Sequence, residues 1–221
     1  MKTTFKSCLV IITLLLFVTS ANAQDKPLTF GVKAGMNLSN FSGDGADGMD
    51  AKIGFNVGVT VDYQLTQELY LLTGLEFTMK GGKDKGTLSL PGYDYTYTGE
   101  EKDNPMYLQI PIHLGYKLAV ADATNIVFHA GPYIAYGVGG KSKIKGSYAS
   151  AGENAYVDTD IDFFGKDRAK KFDMGLGLGA TVEFGKIGVG LGYDFGLLNM
   201  SRSSELKVRN MNAYLTLGYK F

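Results

Sequence analysis

The chain has almost no thiol chemistry to offer. One residue of 221 is cysteine, Cys8, and it lies inside an N-terminal apolar stretch. It also has no excess of charge of either sign, with 22 basic and 22 acidic residues. No apolar run beyond the N-terminus reaches the roughly 20 residues that a membrane-crossing helix needs. These absences exclude a disulfide framework, disfavour nucleic-acid binding and rule out a helical membrane protein. They do not exclude a membrane protein made of strands, whose apolar and polar residues alternate and escape a hydropathy window.

The first 23 residues read as an export signal. Lys2 and Lys6 form a positive start, Leu9 to Val18 an apolar segment too short to span a bilayer, and Ala21-Asn22-Ala23 a small-x-small cleavage site. The expected division is residues 1–23 as signal peptide and 24–221 as one β-barrel domain, with Gln24 as the first mature residue. Cys8 lies ahead of the cut and cannot carry a lipoprotein's lipid. Without Lys2 and Lys6 the mature chain has 20 basic and 22 acidic groups, a net charge of −2.

What the chain has in abundance is alternation. In its last ten residues Ala213, Leu215, Leu217, Tyr219 and Phe221 fall on one side, and Asn212, Tyr214, Thr216, Gly218 and Lys220 on the other. That is the two-residue period of a strand. The same habit marks eight segments: Thr29–Leu38, Ile53–Tyr63, Leu69–Met79, Met106–Leu118, Ile126–Val138, Phe172–Phe184, Ile187–Leu197 and Arg209–Phe221. Each has the length of a tilted membrane-crossing strand. The connections alternate: long at 39–52, 80–105, 139–171 and 198–208, short at 64–68, 119–125 and 185–186. Short periplasmic turns and long outer loops are the habit of an outer-membrane barrel. The expected fold is therefore all-β: an eight-stranded antiparallel transmembrane β-barrel, wound as an up-and-down meander with both termini in the periplasm.

Alternation does not say which face is inside, because a soluble barrel shares the period. Aromatic placement decides. Phe30, Tyr63, Tyr116, Phe128, Phe184, Tyr219 and Phe221 fall at the short-turn ends of the apolar face. Phe41, Phe55, Phe77, Tyr136, Phe172 and Phe195 fall toward the long loops. Two aromatic girdles around an aliphatic band fit a bilayer.

Four stretches carry a family resemblance: Gly31-Val-Lys-Ala-Gly-Met-Asn-Leu-Ser39, Tyr107-Leu-Gln-Ile-Pro-Ile112, Ala130-Gly-Pro-Tyr133 and Leu215-Thr-Leu-Gly-Tyr-Lys-Phe221. The chain resembles the PorT-like outer-membrane β-barrel family over its whole mature length. The resemblance implies the barrel and its location. It also implies a link to protein secretion through the family's named member, with no residue here that carries that role over, and it brings no catalytic signature.

The polar face holds Lys33, Asp62, Glu76, Lys80, Lys117, Asp173, Glu183, Asp194 and Lys220, together with His113 and His129. An eight-stranded lumen is just wide enough for side chains, and charges inside it must pair. An ion-pair network that plugs the barrel is the expected use; a narrow polar path or small-ligand site is the alternative. Two histidines without a carboxylate at ligand spacing do not make a metal site. Glycines 175, 177, 179 and 188, 190, 192 repeat every second residue inside strands. No helix follows, so they read as room for the lumen rather than as a phosphate loop.

In the outer loops Asp158, Asp160 and Asp162 start like a calcium loop but lack its glycine and closing glutamate; Asp44, Asp47 and Asp50 are equally loose. Tyr93, Tyr95 and Tyr97 belong to a hairpin turning at Pro91-Gly92 and are candidates for surface recognition or for packing on a neighbouring loop. Lys166, Arg168, Lys170 and Lys171, just above the start of the sixth segment, are candidates for contact with lipopolysaccharide phosphates or belong to an ordinary solvated loop. Tyr219 and Phe221 resemble the signal read by the barrel-insertion machinery. No enzyme signature and no cofactor motif is present. The expected partners are outer-membrane lipid and lipopolysaccharide, the insertion machinery, and an unidentified ligand or envelope protein at the outer loops. The expected role is structural or interactive, with a narrow pore or small-ligand carrier second and a secretion accessory third.

Overall fold

A computed structural model describes residues 27–44, 46, 48–89, 95–150, 153–166, 168–202 and 205–221. The signal peptide and its cleavage site, Asp47, the Pro91-Gly92 turn and Tyr93 lie outside the described residues, as does the side chain of Tyr95. Ten strands follow one another: β1 Leu28–Ser42, β2 Asp50–Gln64, β3 Leu69–Met79, β4 Gly82–Ser89, β5 Tyr95–Ala121, β6 Thr124–Ser150, β7 Glu153–Asp162, β8 Phe172–Phe184, β9 Ile187–Gly196 and β10 Arg209–Lys220. No helix occurs among the described residues.

Eight strands close a ring. β1 pairs with β2, β2 with β3, β3 with β5, β5 with β6, β6 with β8, β8 with β9, β9 with β10, and β10 returns to β1, every pair antiparallel. The final strand closes on the first with Gly31 opposite Lys220 and Ser42 opposite Arg209. Closure leaves no open sheet edge in the wall, as lipid requires. The segments expected from alternation are these eight, with β1, β2, β5 and β6 lengthened at their outer ends and the other four matching to within a residue.

The two further strands lie where loops were expected. β4 keeps β3's register on β5, with Met79 opposite Met106 and Lys83 opposite Lys102. It therefore prolongs β3 past a break at 80–81. β7 folds back along the outer half of β6, from Lys141 opposite Asp162 to Ser150 opposite Glu153. With β5 and β6 paired out to Tyr95 and Ser150, the second and third outer loops are a four-stranded sheet, β4-β5-β6-β7, standing above the ring. The acidic run Asp158, Asp160, Asp162 is part of a strand, not a free loop.

The ring turns its apolar side outward. In β8, Phe172, Met174, Leu176 and Leu178 are exposed while Asp173, Gly175 and Gly177 are buried; β9 repeats the pattern. Exposed apolar side chains on this scale are stable only against lipid. Phe41 departs from the expected belt. It shares parity with Asn37 and Ser39, points inward and is 5% exposed. It packs on the loops that cover the mouth.

Candidate functional site

The inward face builds a polar column in layers. At the short-turn end Lys220 Nζ lies 2.5 Å from both Asp62 Oδ2 and Glu183 Oε1, and Lys117 Nζ lies 3.2 Å from Glu183 Oε2. Above them Lys33 Nζ meets Glu76 Oε1 at 2.6 Å. Next come the two histidines, whose Nδ1 atoms are 2.9 Å apart with rings nearly parallel. One imidazole donates and the other accepts. Toward the outer end Lys80 Nζ sits 3.9 Å from Asp173 and 3.7 Å from Asp194. All nine charged residues marked in the sequence are thus within 4 Å of an opposite charge. Among the described residues no group of three or more His, Cys, Asp or Glu could hold a metal ion.

Lys80 occupies the deepest layer, with no exposed surface. Its ammonium lies 4.4 Å from the Tyr133 ring centre and 5.7 Å from that of Tyr107. Cation–π attraction in a desolvated site is worth about 2 kcal/mol. Asp173 accepts from the Tyr133 hydroxyl at 3.2 Å and from Asn210 Nδ2 at 2.9 Å; Asp194 accepts from Gln109 Nε2 at 3.0 Å. The alternation that marked the charges did not single out Tyr107, Tyr133, Gln109 or Asn210. The signal was present, since all four share the parity of the charged face.

The glycine column of β8 faces this stack. A Cβ at Gly175 would fall 2.6 Å from the Tyr133 ring, one at Gly177 2.7 Å from the His113 ring, and one at Gly179 2.7 Å from the His129 ring. Each missing side chain is therefore occupied by a ring from the wall beside it, Tyr133 and His129 from the paired strand β6 and His113 from β5 beyond it. A cavity of about 130 Å³ remains among Lys33, Asp62, Glu76, His113, Glu183 and Lys220. That is room for several waters and below the 300 Å³ or so of an ordinary ligand pocket.

The outer mouth is covered by apolar side chains. Phe41, Ala46, Phe163, Ala169 and Met200 form one buried cluster, with Met49, Phe164 and Val208 against it. Phe41 stacks on Phe163 at 6.1 Å, and Phe164 sets its edge on Tyr107 at 5.5 Å. Backbone bonds hold the cover down: Phe163 N–H to Gly140 O at 3.0 Å, Gly137 N–H to Lys171 O at 2.7 Å, and Lys170 N–H to Met200 O at 2.8 Å. The Tyr107 hydroxyl reaches Met200 Sδ at 3.6 Å and joins cover to column.

Of the loop cations, Arg168 turns inward. Its Nη2 donates to Glu101 Oε1 at 3.2 Å and to Ser142 Oγ at 3.0 Å, and the Ser142 hydroxyl donates to Asp103. Burial pushes the Asp103 carboxyl up to about 6, opposed by the Ser142 bond. Lys166, Lys170 and Lys171 are exposed, and Lys170 Nζ also reaches Asn199 O at 3.3 Å. Tyr97 lies on the protruding sheet, 4.7 Å from the Tyr148 ring and against Gly99 and Gly146. Packing on the neighbouring strand occupies it. At the chain's end Tyr219 and Phe221 are half-exposed and meet edge to face at 5.7 Å, and the Phe221 N–H reaches Phe30 O at 2.9 Å.

Among solved structures, the chain resembles Ail, the attachment invasion locus protein of Yersinia pestis, in complex with the heparin analogue sucrose octasulfate. Identity is 14% over 88% of this chain and 99% of that one, with a TM-score of 0.39. Neisserial surface protein A is similar at 14% identity over 87% and 97%, with a TM-score of 0.38. No curated protein matches the chain. The family model for the outer membrane protein beta-barrel domain matches residues 22–202. With that match over most of its length, a closed ring of strands and an apolar outer wall, the chain belongs to the outer-membrane protein beta-barrel domain family.

Proposed function

We propose that this protein is a non-conducting outer-membrane barrel whose working surface is the sheet above its rim. The observation that carries the reading is the buried cover of Phe41, Phe163 and Met200 seated on a lumen crossed by ion pairs. A blocked lumen leaves the outer sheet as the surface available for contact with lipopolysaccharide or another envelope component. The residues do structural and binding work. The protein reaches the membrane by cleavage after Ala23 and is inserted by machinery that reads Tyr219 and Phe221.

Single-channel recording of the refolded mature protein in a planar bilayer tests the reading. Silence is expected, and steady conductance overturns it. The cavity beside Lys33 and Glu76 favours a second reading, a narrow path or small-ligand site closed on the outer side. In that case shortening the cover from Phe163 to Ala169 opens a conductance that the intact chain lacks. A secretion accessory, the third reading, rests on the PorT-like resemblance and predicts retained cargo in a strain that lacks the protein.

A further inference from the structure

The protruding sheet carries an uncommon row. Lys83 of β4 lies opposite Lys102 of β5, and Lys102 lies opposite Lys143 of β6. Three lysines thus stand abreast across about 10 Å of sheet. Like charges set directly opposite destabilise a strand pair. One row further out the sheet does the opposite, with Lys85, Glu100, Lys145 and Asp158 alternating in sign. Lys85 and Glu100 are 3.4 Å apart, and Lys145 and Asp158 3.2 Å. Local acids neutralise the lysine row only in part, the closest pair being Lys102 with Glu100 at 2.9 Å. Glu100 is shared between Lys102 and Lys85. Asp160, in register with Lys143, gives its carboxylate to Lys141 at 3.3 Å. Lys83 reaches Asp50 only at 3.9 Å.

The face matters as much as the charge. β5 keeps its alternation from the membrane into the sheet. Tyr107, Pro105 and Asp103 are buried, and Leu108, Ile110 and Ile112 are exposed to lipid. Lys102 has the parity of Leu108, six residues on, so it stands about 20 Å further along the strand on the lipid-facing side. With barrel strands tilted about 35–45°, that is about 15 Å above Leu108 along the membrane normal, on the outer side of the sheet rather than over the mouth. Lys102, Lys143, Lys145, Asn104 and Glu100 line a depression of about 340 Å³ there.

We propose that this depression and the Lys83-Lys102-Lys143 row form a binding site for a phosphorylated outer-leaflet lipid headgroup. The acyl chains of that lipid would lie on the wall below, at Leu108 and Tyr136. An anion held by the three ammonium groups removes the repulsion built into the row, and the lipid wall beneath selects a phosphate attached to a lipid. The site is distinct from Lys166, Arg168, Lys170 and Lys171. It rests on the reading of the sheet as the working surface.

Amine-reactive footprinting in nanodiscs tests it. In nanodiscs that contain bisphosphorylated lipid A, labelling of Lys102 and Lys143 should fall several-fold relative to phosphatidylcholine alone, while Lys186 on the other side of the membrane stays unchanged. The K102Q/K143Q variant should retain less lipid A through detergent purification, with stability in phosphatidylcholine equal to or above that of the parent. Unchanged labelling, or equal lipid A retention by the variant, overturns the site. If inorganic phosphate alone gives the same protection, the lipid assignment fails. A conducting barrel would end the functional reading without altering the labelling, so the two can fail separately.

Discussion

The ammonium of Lys80 lies 4.4 Å from the centre of the Tyr133 ring, wholly buried, with its two carboxylate partners no nearer than 3.7 Å. A lysine so placed gains from a ring face and two charges at once, and loses more than any one of them if removed.

Lys80→Met should therefore be costly. It leaves Asp173 and Asp194 buried without their cation, a loss of about 3–5 kcal/mol for a broken buried pair. Changing Asp194 to Asn as well should recover part of that loss, because a neutral amide no longer needs the charge. Urea midpoints in lipid vesicles, read by gel mobility, check both. A Lys80→Met midpoint within error of the parent would mean that the layer is hydrated and the pairing is weak.

The outer wall makes a depth-dependent prediction. Leu191 is exposed midway along β9, between Ile187 at one belt and Phe195 at the other. Leu191→Arg should cost about 2–4 kcal/mol, and Ile187→Arg, nearer the interface, about 0–1 kcal/mol. Equal costs at the two positions would contradict a bilayer around this wall.

Much of this architecture could be read from residue order, for a physical reason. A strand with lipid on one side and a lumen on the other must alternate between apolar and polar, and β8 and β9 do so without exception. The outer sheet was legible only where Thr87–Leu90 and Tyr93–Tyr97 read as a hairpin, whose arms pair as β4 and β5; the rest of it is largely wetted. Lys83, Asp84, Lys85 and Gly86 show no apolar period, and their partners are fixed by cross-strand register instead. Phe41 misled for a related reason. Near a strand end its side chain answers to the loop cover rather than to lipid, and only its parity with Asn37 gives that away. The charges of the lumen were visible as a set, but pairing is a matter of height and tilt. Lys80 finds Asp173 and Asp194 across the barrel, where sequence distance says nothing. Arg168 looked like an outward cation because nothing local shows that Glu101 and Ser142 stand behind it.

Asp103 should make the junction between cover and sheet pH-sensitive. Its carboxyl titrates near 6 in the folded protein, against a usual 3.8, and sits among Ser142, Glu101, Arg168 and Lys52. A raised carboxyl favours the folded form most while it is protonated. Its contribution is therefore full below pH 4 and is lost as pH rises through 6, by at most about 3 kcal/mol. Hydrogen-exchange protection factors, which remove the intrinsic pH dependence of amide exchange, should be higher over residues 163–171 at pH 5 than at pH 7. Asp103→Asn should flatten that difference. Lower protection factors at pH 5 would reverse the sign and remove Asp103 as its cause.

The end of the chain separates assembly from stability. Phe221 is 47% exposed, touches Tyr219 edge to face and adds one backbone bond to Phe30. A half-buried ring at the rim can contribute only about 1–2 kcal/mol through burial. A barrel closed by twelve residue pairs between β1 and β10 should tolerate that loss. If Tyr219 and Phe221 also form the signal for insertion, deletion of Phe221 should lower the outer-membrane level in cells strongly and leave refolding into detergent nearly intact. Equal loss in both assays would assign the residue to structure alone. An undiminished level in cells would mean that the machinery reads some other part of the chain, and that the aromatic at the C-terminus serves only the membrane belt.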